Sequence, residues 1–189
     1  MSSISSKCKD IDCKVTNAFE DSNVKKNEEV QVYIEIEQFS NQKYELNKIT
    51  GKLELDRVLE YPYFYPYAYG FIPGTLAADG DDLDALIITN NPISKNDIYT
   101  AHIVGVLVME DEKGMDEKIL CILEKDSYII RDISDFPNEV IENIKWFFEN
   151  YKKKTPGKWS NVIGYENKKY AIQLKNECHV RSLDISKLL

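Results

Sequence analysis

Asp79, Asp81, Asp82 and Asp84 stand within the six residues DGDDLD, and a greasy segment, ALIIT (85–89), follows at once. Carboxylates this close repel one another, so a cation between them is the natural source of compensation. Their oxygens are hard ligands, suited to magnesium, manganese or calcium. An EF-hand is excluded, because that loop needs an oxygen ligand where Leu83 stands and glycine where Asp84 stands. Taken alone, such a stretch also reads as a solvated turn. Its position directly before an apolar strand argues for a loop whose geometry is set by packing. A second acidic pair, Asp111 and Asp116, occupies a charged hairpin around EKGMDE, with Lys118 beside it.

Ahead of the acidic loop runs YPYFYPYAYG, with Tyr61, Tyr63, Tyr65, Tyr67 and Tyr69 at period two and broken by Pro62 and Pro66. That pattern fits one face of a rigid edge segment. Phenols beside a metal–phosphate site also donate hydrogen bonds without adding charge. Lys43, Arg57, Lys118 and Lys152 supply cations, although each also reads as an ordinary surface charge. Lys152 to Lys154 would suit a helix C-terminus.

The elements that must position these groups follow from periodicity. Val30, Val32, Ile34 and Ile36 alternate through VQVYIEIEQ, a half-buried strand. KYEL (43–46), KLELD (52–56), ALIIT (85–89), TAHIVGVLVMED (100–111) and KILCILEK (118–125) read as further strands, with Gly51 and Gly114 in turns. Ser134 to Pro137 starts a helix that carries Val140, Ile141, Ile144, Phe147, Phe148 and Tyr151 at helical spacing to Lys154. Pro156–Gly157 ends it. A second helix is expected from about 167 to 182, with Tyr170, Leu174 and Cys178 on one face. Strands followed by two helices predict an α+β domain, a small antiparallel barrel with flanking helices.

The chain has 189 residues, 43% of them hydrophobic and 11% aromatic, enough for one well-packed domain. Residues 1–29 are polar and read as an N-terminal extension, leaving 30–189 as a single domain. A net charge of −8 argues against a nucleic-acid binder. No apolar run approaches the ~18 residues of a membrane span, and MSSISSKCKDIDCK lacks the apolar centre of a secretory signal. The expectation is a soluble cytoplasmic protein with no membrane partner. Cys8 and Cys13 are loosely zinc-like, but His102 and His179 have no ligand neighbours at finger spacing, so Cys8, Cys13, Cys121 and Cys178 are expected as free thiols.

In order along the chain, IEI with KYE, then DR, FYPYAYGFIPGT, DGDDLD, VGVLVMEDEKGMDEK and FFENYKKKTPGKW resemble the soluble inorganic pyrophosphatases of family I, over about residues 30 to 165. The resemblance implies a five-stranded, OB-like barrel with flanking helices and hydrolysis of pyrophosphate with several Mg2+ ions. It implies Asp79, Asp84 and Asp116 as ligands of the tightest magnesium, Asp111 joining Asp116 on metal arriving with substrate, and Glu35 and Glu45 lining the same cavity. Lys43, Arg57, Lys118, Tyr151 and Lys152 would contact the phosphoryl groups, with Tyr65 and Tyr69 beside them, and Asp81 would be the general base. A homo-oligomer follows, the hexamer favoured over the dimer. Asp82 departs from the family's usual proline or glutamate, and an outward orientation is expected for it. The rivals are a nucleotidyl- or glycosyltransferase using an Asp-x-Asp pair and a calcium-binding module. The first would need a base- and sugar-binding region, and no glycine-rich phosphate loop is present. The Lys and Arg set speaks against the second.

Overall fold

The structure, a computed structural model, describes residues 27–126 and 129–186. Its elements are β1 (Glu29–Ile36), β2 (Gln42–Asn47), β3 (Lys52–Val58), β4 (Ala68–Ile72), β5 (Leu83–Ile87), β6 (Ile98–Asp111), β7 (Gly114–Met115), β8 (Lys118–Leu123), α1 (Asn138–Asn150), β9 (Ser160–Asn167) and α2 (Lys168–Ser186). The N-terminal extension, apart from its last residues, and Cys8 and Cys13 lie outside the described residues.

Five strands close into a ring in the order β1-β4-β5-β8-β6, and β6 pairs back onto β1. The result is an α+β, OB-like barrel with two main helices. Neighbours are antiparallel except β5 and β8, which run parallel. Closure rests on β6, which is long enough to serve two partners. Its first half pairs with β1 from Ile98 to His102, and its second half pairs with β9 from Gly105 to Asp111. A shift in the β6–β8 register between Ile103 and Gly105 marks the bend between the halves. The second half thereby carries Asp111 past the ring. Strands β2 and β3 form a separate two-stranded ribbon.

Both faces of the barrel strands are covered, which explains the near-continuous apolar run from Leu83 to Ile88. One buried set comprises Val30, Val32, Ile34, Ala85, Ile87, Ile103 and Ile119, joined by Ala171 and Cys178 of α2. The other gathers Tyr65, Tyr69, Leu86, Leu107, Met109 and Leu120 against Ile144, Phe147 and Phe148 of α1. Gly70 is required where β4 crosses β1, since a Cβ there would sit 1.8 Å from the Tyr33 carbonyl oxygen.

Three expectations need correction. The first helix ends at Asn150 and residues 151–157 form turns, so Lys152 to Lys154 are not its last turn. The second helix starts at Lys168 and packs through Ala171 and Cys178, while Tyr170 is exposed. Ser160–Asn167 is a strand that the pattern did not announce. Val162 is buried but Ile163 faces out and Gly164 follows, so no alternation of apolar and polar residues marks it. Its place is fixed by pairing with β6 and by the Tyr165 hydroxyl, which donates to the Ile141 carbonyl at 2.7 Å.

Candidate active site

The acidic loop is built from its backbone outward. Thr75 Oγ1 donates to the Ile72 carbonyl at 2.6 Å and accepts from the Leu83 N–H at 2.8 Å, clamping the two ends together. Within it, Ala77 N–H reaches the Asp81 carbonyl and Asp81 N–H the Asp79 carboxylate at 3.1 Å. Gly80 supplies the left-handed turn at φ +95°. From outside, α2 holds the preceding segment: Arg181 donates to the Leu76 carbonyl at 2.8 Å, and Leu76 N–H donates to the Cys178 carbonyl.

This loop forms one wall of an open cleft of about 290 Å3. Asp84 from β5, Asp111 from β6, Asp116 and Lys118 from the hairpin and β8, and Tyr151 and Lys152 after α1 also line it. The ribbon completes the wall with Lys43, Glu45, Asp56 and Arg57, and β1 contributes Glu35. Asp79 and Asp81 line it as well, so the cleft gathers every residue expected of the site except Tyr65. Tyr65 is 1% exposed and stands behind the wall, 5.2 Å from the Tyr69 ring and 4.8 Å from that of Phe147. The tyrosines do not share one face: Tyr61 is exposed, Tyr67 half-buried, and Tyr63, Tyr65 and Tyr69 buried.

Charge in the cleft is interleaved. Lys118 is 1% exposed, with its Nζ 2.5 Å from Asp84 Oδ2 and ion-paired with Asp116. Burial alone would lower this ammonium, but the two carboxylates outweigh it and hold Lys118 well above the usual lysine range. Lys152, also buried, pairs with Asp111 and lies 3.5 Å from Glu112. Burial pushes the Asp111 carboxyl up, yet the Lys152 hydrogen bond and the Lys113 N–H at 2.7 Å bring it below its ordinary value. On the ribbon, Lys43 pairs with Glu45 and, at 3.3 Å, with Asp56, which also accepts from Arg57 at 2.9 Å. Among the described residues Arg57 Nε is buried without a hydrogen-bond partner, a donor left over for an anion.

Among the described residues Glu35 is a buried acid with no ion-paired lysine, although Lys43 lowers its carboxyl from a distance. Burial, opposed by the Leu46 N–H at 2.7 Å and reinforced by Asp84, pushes its carboxyl up to about 7. Burial likewise raises the phenols of Tyr69 and Tyr151, so both remain neutral donors.

Among the described residues no three Asp, Glu, His or Cys side chains close into a ligand cage. Lys118 stands on Asp84 and Asp116, and Lys152 on Asp111. An oxygen-only set of Asp79, Asp84, Asp111 and Asp116 nevertheless fits a hard cation by its chemistry.

Several cleft residues were not singled out as site residues from the sequence: Lys48, Asp56, Glu112, Lys113 and Lys158. Asp56, Glu112, Lys113 and Lys158 lie inside the segments that carried the resemblance, which was the available signal. Asp82 was expected to face outward. Its side chain is 15% exposed, lines the cleft and pairs with Lys48 at 2.8 Å, because the turn at Gly80 brings it under the ribbon tip.

A family model described as inorganic pyrophosphatase matches residues 32–182. An inorganic pyrophosphatase of Helicobacter pylori is 45% identical over 147 residues, covering 76% of this chain and 85% of that one. One from Thermus thermophilus is 41% identical over 158 residues, covering 82% and 90%. A solved Helicobacter pylori inorganic pyrophosphatase superposes with a TM-score of 0.80 at 42% identity, covering 83% of this chain and 95% of that chain. With the barrel, the charged cleft and these relatives in agreement, the chain belongs to the inorganic pyrophosphatases of family I, a family of hydrolases.

Proposed function

We propose that the chain hydrolyses inorganic pyrophosphate to two phosphates, using water as nucleophile, Asp81 as general base and several magnesium ions held by its carboxylates. The observation that carries this reading is the interleaving of buried ammoniums and carboxylates in one cleft, Lys118 between Asp84 and Asp116 and Lys152 on Asp111. A small polyanion entering with divalent cations suits such a lattice. With substrate bound, Lys118 and Lys152 would turn from carboxylate to phosphoryl oxygens, and Asp84, Asp111 and Asp116 would be available to hold metal.

Asp79, Asp84 and Asp116 would hold the tightest ion, with Asp111 and Asp116 sharing metal that comes with substrate and Glu35 and Glu45 lining the cavity. Bound magnesium supplies Lewis acidity, lowering the pKa of water and neutralising phosphate charge. Asp81 is open to solvent, its side chain 65% exposed, and takes the proton from the attacking water. The water oxygen bonds to one phosphorus as the bridging P–O bond breaks. Lys43, Arg57, Lys118 and Lys152 neutralise charge on the two phosphates, and Tyr69 and Tyr151 add uncharged donors. Tyr65 supports this wall by packing on Tyr69. No covalent enzyme intermediate is needed.

The same reading takes the protein as a cytoplasmic homo-oligomer, the hexamer favoured over the dimer, which sizing by light scattering checks. Among the described residues no helix is long and apolar enough to cross a membrane. Phosphate release from pyrophosphate with magnesium, compared with release from ATP, tests the activity. Rapid cleavage of pyrophosphate alone is expected, with inhibition by calcium because its longer, looser coordination misplaces water and phosphate. Equal cleavage of ATP would overturn the small-substrate reading.

A further inference from the structure

The β2–β3 ribbon brings Lys43, Glu45, Asp56 and Arg57 to the cleft, yet it is not hydrogen-bonded into the barrel sheet. Its base is pinned where Leu59 N–H meets the Asn41 carbonyl at 2.7 Å and Asn41 Nδ2 donates to the Leu59 carbonyl at 3.2 Å. Toward the tip it is tied by Leu46 N–H on Glu35 and by Lys48 on Asp82 at 2.8 Å. The tip itself is stiff. Asn47 Oδ1 accepts from the N–H groups of Ile49 and Thr50 at 3.0 and 3.1 Å, and Gly51 N–H closes on the Asn47 carbonyl at 2.8 Å. A stiff tip turns a single side-chain contact into a constraint on the whole ribbon.

From this placement we infer that Lys48 and Asp82 form a latch that holds the ribbon's phosphate-binding side chains over the acidic loop. They are positioning residues: neither belongs to the set assigned to metal, water or phosphoryl groups. The inference rests on the pyrophosphatase reading for what the latch positions, but the latch itself is a contact of this chain. Asp82 is held low at the cleft wall while Lys48 is more than half exposed. The contact is therefore formed and broken at small cost. With one partner open to solvent, such a pair shifts an equilibrium by about two- to fivefold.

The test is a double-mutant cycle of K48Q, D82N and the double variant, with the exchanged pair K48D/D82K, read in two ways. One readout is KM and kcat for magnesium pyrophosphate. The other is amide hydrogen exchange of residues 42–58 in metal-free protein, which requires no turnover. Each single variant is expected to raise KM about two- to fivefold with kcat within about twofold, and to speed ribbon exchange by a similar factor. The double variant should be no worse than either single one, and the exchanged pair should regain most of the loss. Additive KM effects would mean that Lys48 touches substrate directly, and unchanged ribbon exchange would mean that the pair holds nothing. Either result overturns the latch. Failure of the wild-type enzyme to cleave pyrophosphate would instead sink the catalytic reading, and the exchange cycle would still decide the latch.

Discussion

Lys118 lies directly opposite Asp84 in the parallel β5–β8 pair, with its Nζ 2.5 Å from Asp84 Oδ2. Its other partner, Asp116, is two residues away along the chain. Sheet register thus places one buried ammonium between two acids, and the cleft carries compensating charge within the chain itself.

Removing that ammonium exposes the repulsion it offsets. Lys118→Met should destabilise the metal-free protein by about 2–4 kcal/mol, the range for leaving buried charges unpaired, reduced because Asp84 is partly exposed. Magnesium should recover more stability in the variant than in the wild type, since it replaces the missing charge. Melting curves in chelator and in magnesium check this. An equal magnesium shift in both proteins would contradict it.

Glu35 should leave a pH signature on the metal-free protein. Burial raises its carboxyl from the ordinary 4.5 to about 7, so the folded state holds this proton more tightly than the unfolded chain. Unfolding then releases a proton between those values, and stability falls as pH rises from about 4.5 to about 7 and is not regained above. Glu35→Gln should remove that part of the slope and stabilise the chelated protein by about 1–3 kcal/mol at pH 8, with little change at pH 4. Urea midpoints at the two pH values give the comparison.

Asp81 and Asp84 should fail differently. Asp81→Asn removes the basicity proposed to take the water's proton and should cut turnover by about two to four orders of magnitude at saturating magnesium. Asp84→Asn should chiefly raise the magnesium concentration needed for activity. If excess magnesium returns Asp81→Asn to near wild-type turnover, Asp81 is a ligand and the base lies elsewhere.

Deletion of residues 1–25 should leave kcat within about twofold and the fold intact, as expected for a polar terminal segment. The family match begins at residue 32, and the described contact nearest that end is Glu28 on Lys168 at 3.2 Å, which the deletion retains. Loss of soluble protein or of most turnover would show that the extension packs on the barrel or on a neighbouring subunit.

The sequence by itself determined which chemistry was present and which local elements carried it. DGDDLD could be read as a hard-cation loop because ligand type is a property of single residues. Alternation at Val30 to Ile36 and helical spacing at Ile144, Phe147 and Phe148 announced a strand and a helix because a single buried face leaves a period in the chain. Tertiary structure decided the rest. Closure of the ring depends on β6 serving both β1 and β9, and nothing local in Ser160–Asn167 shows that partner. Whether Tyr65 faces the cleft or backs it depends on Phe147, far along the chain. Asp82 turned inward because Lys48 waits at the ribbon tip, and Lys118 is caged by a register between distant strands. Those outcomes are long-range pairings, and a long-range pairing has no period from which it can be read.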